Sequence, residues 1–253
     1  MNYRMIVQYD GTHFEGWQKQ VRTENTIQGK LEKALGVIAG ETVQVIGAGR
    51  TDAGVHAAGQ VANFRLQHIL PSVEIEKKLN NALPDAIGVI HVREADDRFH
   101  SRFSATEKMY CYRIRVGSTK NVFERRYIWQ YGKMLNVAAM RKAAKVLSGT
   151  HDFTSFCSNK KLKKSAERTV FAIDFKEKQG ELAIEYKGDG FLQGMVRILT
   201  GTLVEVGEGK KKPEEMAGIL AAKDRAAAGF TAPPEGLTFV SVEYGKDGHA
   251  AER

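Results

Sequence analysis

Cysteine and proline are scarce in this 253-residue chain, with two of the first and five of the second. Cys111 and Cys157 stand too far apart for a CxxC metal or redox pair, so buried thiols are the expectation. So little proline, beside 42% hydrophobic and 27% charged residues, excludes long disordered tracts and leaves an ordinary globular composition. An apolar run of about 18 residues, the length a membrane span needs, occurs nowhere, and the start Met1-Asn2-Tyr3-Arg4 has no apolar signal-peptide core. These absences point to a soluble, cytoplasmic protein that engages no membrane.

What is present in excess is positive charge. Lys and Arg number 38 against 30 Asp and Glu, a formal +8, which suits a polyanionic partner without proving one. Lys160, Lys161, Lys163 and Lys164, with Lys210, Lys211 and Lys212, are either solvated runs or a track for a nucleic-acid backbone. Phosphate contacts there predict an affinity that falls steeply with salt.

The order of elements repeats. Tyr3 to Tyr9 reads as a strand ending at the Asp10-Gly11 turn signal, and Ile27, Leu31, Leu35 and Ile38 recur at helical spacing after Asn25 and Thr26 and before Gly40. Val43 and Val45, then Val61 to Leu66, read as strands on either side of a glycine-rich loop. Ser72 caps a helix carrying Ile75, Leu79 and Leu83, and Ile87 to Val92 closes a βαββαβ half. The second half begins with Tyr110, Tyr112 and Ile114 alternating along a strand. It continues with a helix from Asn136 ended by Gly149, and a hairpin of Val170–Phe175 and Leu182–Tyr186 joined by Gln179-Gly180. A helix with Phe191, Met195, Ile198 and Leu199 and a strand Phe239–Tyr244 complete it. The expected fold is α+β: two ferredoxin-like halves, 1–103 and 104–253, joined into a continuous, mostly antiparallel sheet with a cleft between them. The joint near Asp96–Glu107, which holds Arg98, Phe99, His100, Arg102 and Phe103, reads either as a solvated linker or as a place for unstacked bases and phosphates.

The densest signal is Gly47-Ala48-Gly49-Arg50-Thr51-Asp52-Ala53-Gly54-Val55-His56, a glycine loop carrying a charged trio between two apolar strands. A dinucleotide fingerprint starting at Gly47 needs glycine where Asp52 stands and a helix where a strand follows, and no Gly-Lys-Ser/Thr closes a P-loop. An isolated Asp in such a turn more often caps backbone N–H groups than catalyses.

The string Gly-Arg-Thr-Asp-Ala-Gly-Val-His resembles the signature of the tRNA pseudouridine synthase A family. Further segments match in order: Tyr9-Asp10-Gly11-Thr12 with Phe14-x-Gly16-Trp17-Gln18, Lys108-x-Tyr110-x-Tyr112-Arg113-Ile114, Gly149-Thr150-His151-Asp152-Phe153-x-Ser155-Phe156, Arg168-Thr169-Val170, Phe191-Leu192-x-x-Met195-Val196-Arg197 and Ala232-Pro233-x-x-Gly236-Leu237. The resemblance spans essentially the whole chain and carries the same two-halved fold, with helices on one face of the sheet and a basic central cleft. One position departs: the family usually has Asn or His before Met-Val-Arg, and here Gly194 stands there. The sequence of the basic loop Lys160–Lys164 does not match the family's pattern.

The resemblance implies an isomerase that turns uridine into pseudouridine at positions 38, 39 and 40 of the tRNA anticodon arm, as a homodimer, with no cofactor, no metal and no DNA partner. It makes Asp52 the nucleophile, Arg197 its ion-pair partner, Tyr110 the ring that stacks on the target uracil, and Arg50 the residue implicated in base flipping. Each has a plainer reading: a surface arginine for Arg197, a core aromatic for Tyr110, a phosphate contact for Arg50. Tyr112 reads as supporting packing, and His56 and His151 as structural. Two rivals stand beside this one. A non-catalytic RNA-binding protein with tandem RRM-like modules lacks its RNP string here, and a two-carboxylate glycosidase on Asp10 and Asp52 sits poorly with a basic chain.

Overall fold

The computed structural model describes residues 1–159 and 165–245; Lys160–Lys164 lies outside them. In chain order the elements are β1 (Asn2–Tyr9), α1 (Ile27–Ala39), β2 (Val45–Gly47), β3 (His56–Arg65), α2 (Ser72–Ala82), β4 (Ile87–Ala95), β5 (Ala105–Arg115), β6 (Trp129–Gln130), α3 (Val137–Leu147), β7 (Gly149–Asp152), β8 (Glu167–Lys178), β9 (Glu181–Gly188), α4 (Met195–Gly207), α5 (Met216–Ala222) and β10 (Leu237–Tyr244). The α+β class and the mostly antiparallel pairing agree with expectation. Two compact units emerge, one of residues 1–108 with the described residues from Phe239, the other of Met109–Thr238.

In the first unit β1 lies between β4 and β3, β2 pairs with β3, and β10 follows β3. The alternation in β1 buries Tyr3, Met5, Val7 and Tyr9, and Tyr3 stacks on its register partner Phe64 at 5.4 Å. Helix α1 starts where Thr26 accepts from the Gly29 N–H and stops where Gly40 takes φ +69°, which suits a residue without Cβ. Its Ile27, Leu31 and Leu35 are fully buried. Ser72 is the first residue of α2 rather than its cap: Pro71 holds that position, with extended ψ and no side-chain bond to offer.

The stretch after β4 is no solvated linker. Phe99 is buried with Ala48 and Val61 against Ile6, Val242 and Tyr244, and Ser101 is fully buried.

In the second unit the strand order is β5-β9-β8-β7, with β6 parallel to β5. The β8–β9 turn places Gln179 and Gly180 at φ +49° and +76°, the left-handed pair that a two-residue type I′ hairpin demands. Asn136 caps α3 through the Ala139 N–H, and the helix packs on α4 and α5. Gly149 does not end α3; Ser148 is the extended C-cap, and Gly149, at φ +104°, opens β7. Helix α4 begins at Met195 rather than Phe191, because Gly194 at φ +70° turns the chain into it. Every α4 residue except Arg197 and Glu205 is buried, so this helix is a core element. Among the described residues no helix is long and apolar enough to cross a membrane.

Candidate active site

Residues 48–55 form no helix or strand, so other groups must define their path. Gln60, buried on β3, grips Gly49 twice: its Oε1 accepts from the Gly49 N–H at 3.1 Å and its Nε2 donates to the Gly49 carbonyl at 2.7 Å. The Tyr9 hydroxyl and Thr51 Oγ1 lie 2.8 Å apart in a buried contact, and burial pushes the Tyr9 phenol far above its usual range, keeping it neutral. Trp17 N–H donates to the Thr51 carbonyl at 3.0 Å, Gly54 N–H to the Phe14 carbonyl at 3.3 Å, and Val55 N–H closes the turn on the Asp52 carbonyl at 3.2 Å.

Two glycines matter here through what cannot fit. A Cβ on Gly11 would collide with the Val55 carbonyl oxygen, and one on Gly47 meets the Trp17 indole at 2.5 Å. The first sequence motif, Tyr9 to Gln18, is therefore the seat on which the Asp52 loop rests. His56 adds a further tie, its Nδ1 accepting from the Gly11 N–H at 3.0 Å while buried. Asp10 caps the same turn through the Thr12 N–H at 3.0 Å, with its Oδ1 3.3 Å from His56 Nδ1; this is the job of a turn residue, not of a glycosidase acid.

The loop so held presents Asp52 half-buried and Arg50 exposed. Arg50 makes no ion pair or side-chain hydrogen bond among the described residues.

Tyr110 and Arg197 belong to the second unit. Tyr110 is buried in β5, edge-on to Phe191 with ring centroids 5.3 Å apart. Tyr112, fully buried, donates its hydroxyl to the Pro233 carbonyl at 2.7 Å, the supporting role expected. Arg197 Nε donates to the Ala232 carbonyl at 2.7 Å, while Ala232 N–H donates back to the Arg197 carbonyl at 3.0 Å. This pair orients the guanidinium at the start of α4, and the neighbouring chain lies close because Gly201 has no Cβ to strike the Phe230 carbonyl.

Gly194, the departing position, has the left-handed backbone in which Asn is the best tolerated residue with a side chain. The swap therefore keeps one local geometry while removing a polar group.

Other candidates settle into plainer roles. Lys210 pairs with Glu208 at 2.7 Å and Lys211 with Glu205 at 3.5 Å. His151 Nε2 contacts the Ser148 carbonyl at 2.9 Å. Burial, then the Glu185 charge, pushes the Cys111 thiol up to about 11, so it is no thiolate nucleophile at neutral pH. Among the described residues no three His, Cys, Asp or Glu side chains converge as metal ligands. Gln60 is the residue not foreseen, and the work of Trp17, Tyr9 and Thr51, known beforehand only as motif members, is to hold the loop with it.

The tRNA pseudouridine synthase family model matches residues 5–104 and 143–245, and the chain belongs to that family of isomerases, which convert uridine to pseudouridine in tRNA. Among its relatives, a tRNA pseudouridine synthase A from Bacillus sp. (strain KSM-64) is 44% identical over 243 residues, covering 96% of this chain and 99% of the relative. A tRNA pseudouridine synthase A 2 from Bacillus anthracis is 42% identical, and a tRNA pseudouridine synthase A from Thermoanaerobacter sp. (strain X514) 43%, with the same coverage.

Proposed function

We propose that this chain makes pseudouridine at positions 38, 39 and 40 of the tRNA anticodon arm, with Asp52 as the nucleophile, acting as a cytoplasmic homodimer without cofactor. The carboxylate attacks the target nucleotide at C1′ or C6. The N1–C1′ bond breaks and a C5–C1′ bond forms, C5 gives up its proton and N1 gains one, so reactant and product are isomers and no external reagent is consumed. Tyr110 stacks on the uracil and its hydroxyl assists removal of the C5 proton. Arg197 serves as the ion-pair partner of Asp52, and Arg50 occupies the space left when the base leaves its stack.

The observation that carries this reading is the hold on the Asp52 loop. A weak nucleophile gains most from being fixed in orientation, and the bonds by which Gln60, Tyr9 and Trp17 hold the loop go to its backbone and to the Thr51 hydroxyl. Unmodified tRNA incubated with wild type or Asp52→Asn, without metal or nucleotide, tests it by mapping pseudouridine along the anticodon arm. Product from the wild type alone supports the reaction and the nucleophile together. Salt-sensitive binding by both with product from neither favours the RNA-binding module instead.

A further inference from the structure

The turn following β4 leaves a large aromatic ring in solvent although its backbone is fixed. Phe103 is 66% exposed. Its ring lies 4.3 Å from the His100 imidazole at an interplanar angle of 33°, and the Arg102 guanidinium carbon sits 5.9 Å from its centroid. Three side chains capable of stacking are thus gathered on one exposed turn.

The turn itself is anchored by hydrogen bonds that are buried or partly buried. Ser101 N–H donates to Asn63 Oδ1 at 2.9 Å, Ser101 Oγ donates to the Ile46 carbonyl at 2.5 Å, and the Tyr244 hydroxyl donates to the Ser101 carbonyl at 2.8 Å. Ser104 N–H closes the turn on the His100 carbonyl at 2.9 Å. The Arg102 and Phe103 N–H groups both point to His100 Nδ1, at 3.2 and 3.3 Å, which fixes the imidazole plane. Ile46 lies on β2, which leads into the loop that carries Asp52, and Phe99 packs on Ala48 of that loop. The exposed ring is therefore fixed relative to the nucleophile within one unit.

A ring held this way is ready to receive another flat group. A two-torsion aromatic on a rigid backbone loses little freedom when a base stacks on it, and an adjacent arginine meets both base and phosphate. Burial also holds the His100 imidazole below its usual range, so it backs the ring as a neutral plane.

We propose that His100, Arg102 and Phe103 form a stacking platform for an unpaired base of the RNA substrate near the target nucleotide, with Arg102 on the neighbouring phosphate. This rests on RNA as the substrate and adds a contact distinct from Asp52, Tyr110, Arg197 and Arg50.

The test uses full-length protein and an unmodified tRNA transcript, with affinity measured at fixed salt and single-turnover product formation measured separately. Phe103→Leu keeps apolar bulk without a π face, and Phe103→Trp keeps the face. Stacking predicts about a tenfold loss of affinity for Phe103→Leu, affinity within about twofold of wild type for Phe103→Trp, and unchanged melting midpoints for both. Wild-type affinity in Phe103→Leu, equal loss in both variants, or a lowered midpoint in Phe103→Leu overturns the platform. So does a wild type that does not bind the transcript. If the wild type binds but forms no pseudouridine, the catalytic reading fails, while the affinities still decide the platform.

Discussion

The Asp52 loop of the first unit has no regular secondary structure, whereas Arg197 of the second stands on the first turn of a helix buried almost all round. The loop is held by many small contacts arriving from β1, β3 and the Phe14–Trp17 segment, among them two glycines that leave no room for a methyl group. The arginine is set by its helix and a reciprocal pair of bonds with Ala232. A helix fixes direction through its own hydrogen bonds; an irregular loop must import rigidity residue by residue. The loop should therefore be the more fragile of the two, failing in function before it fails in stability.

Five substitutions probe that difference. Asp52→Asn should lower pseudouridine formation by about a thousandfold or more while tRNA affinity stays within about twofold, read by product mapping and binding side by side. Gln60→Leu, which keeps bulk but releases Gly49, should cut the rate by about tenfold to a hundredfold through misplacement of the carboxylate, with a modest fall in melting midpoint. Gly11→Ala should destabilise the fold by about 3 kcal/mol in urea unfolding, because the new methyl meets backbone and not a movable side chain. Arg197→Lys loses the Nε bond to Ala232 and should cost about 1–2 kcal/mol by the same measurement, though activity should fall more than that stability change explains. Gly194→Asn should be the mildest, about 1 kcal/mol or less, since Asn accepts the left-handed backbone while Ser158, whose Oγ and Cβ lie 3.0 and 3.3 Å from the new Cβ, must shift and weaken its bond to the Gln193 carbonyl. Equal sensitivity of rate and stability to Gln60→Leu would break the comparison.

Elements with chemical punctuation were legible. Thr26 and Gly40 bracket α1, Asn136 starts α3, and Gln179-Gly180 marks the hairpin, because caps and turns have local chemistry that a sequence displays. What escaped lacks such chemistry. Strand β7 is Gly-Thr-His-Asp, with no apolar alternation, and exists because β8 offers it backbone partners; β6 is two residues long. Helix α5 hides seven residues inside a charged stretch.

The site was uneven in the same way. Asp52 stood out through its signature, while Gln60 reads as one more polar residue on an alternating strand and shows its purpose only when its amide is seen on both sides of Gly49. The Asp96–Glu107 stretch allowed a linker reading because its charges dominate its composition; Phe99, Ser101 and Ser104 are the residues turned inward.

One strand ties these matters together. Along β3, His56 meets the Gly11 N–H, Gln60 meets Gly49, and Asn63 meets Ser101, so three separate loops take their positions from one ten-residue segment. A slip of one residue in its pairing with β1 sends each of those side chains to the opposite face. Under the proposed function, catalytic competence is thereby made a readout of sheet alignment: a chain that collapses with β3 out of register loses the anchors of the Asp52 loop, so only correctly aligned molecules act on tRNA.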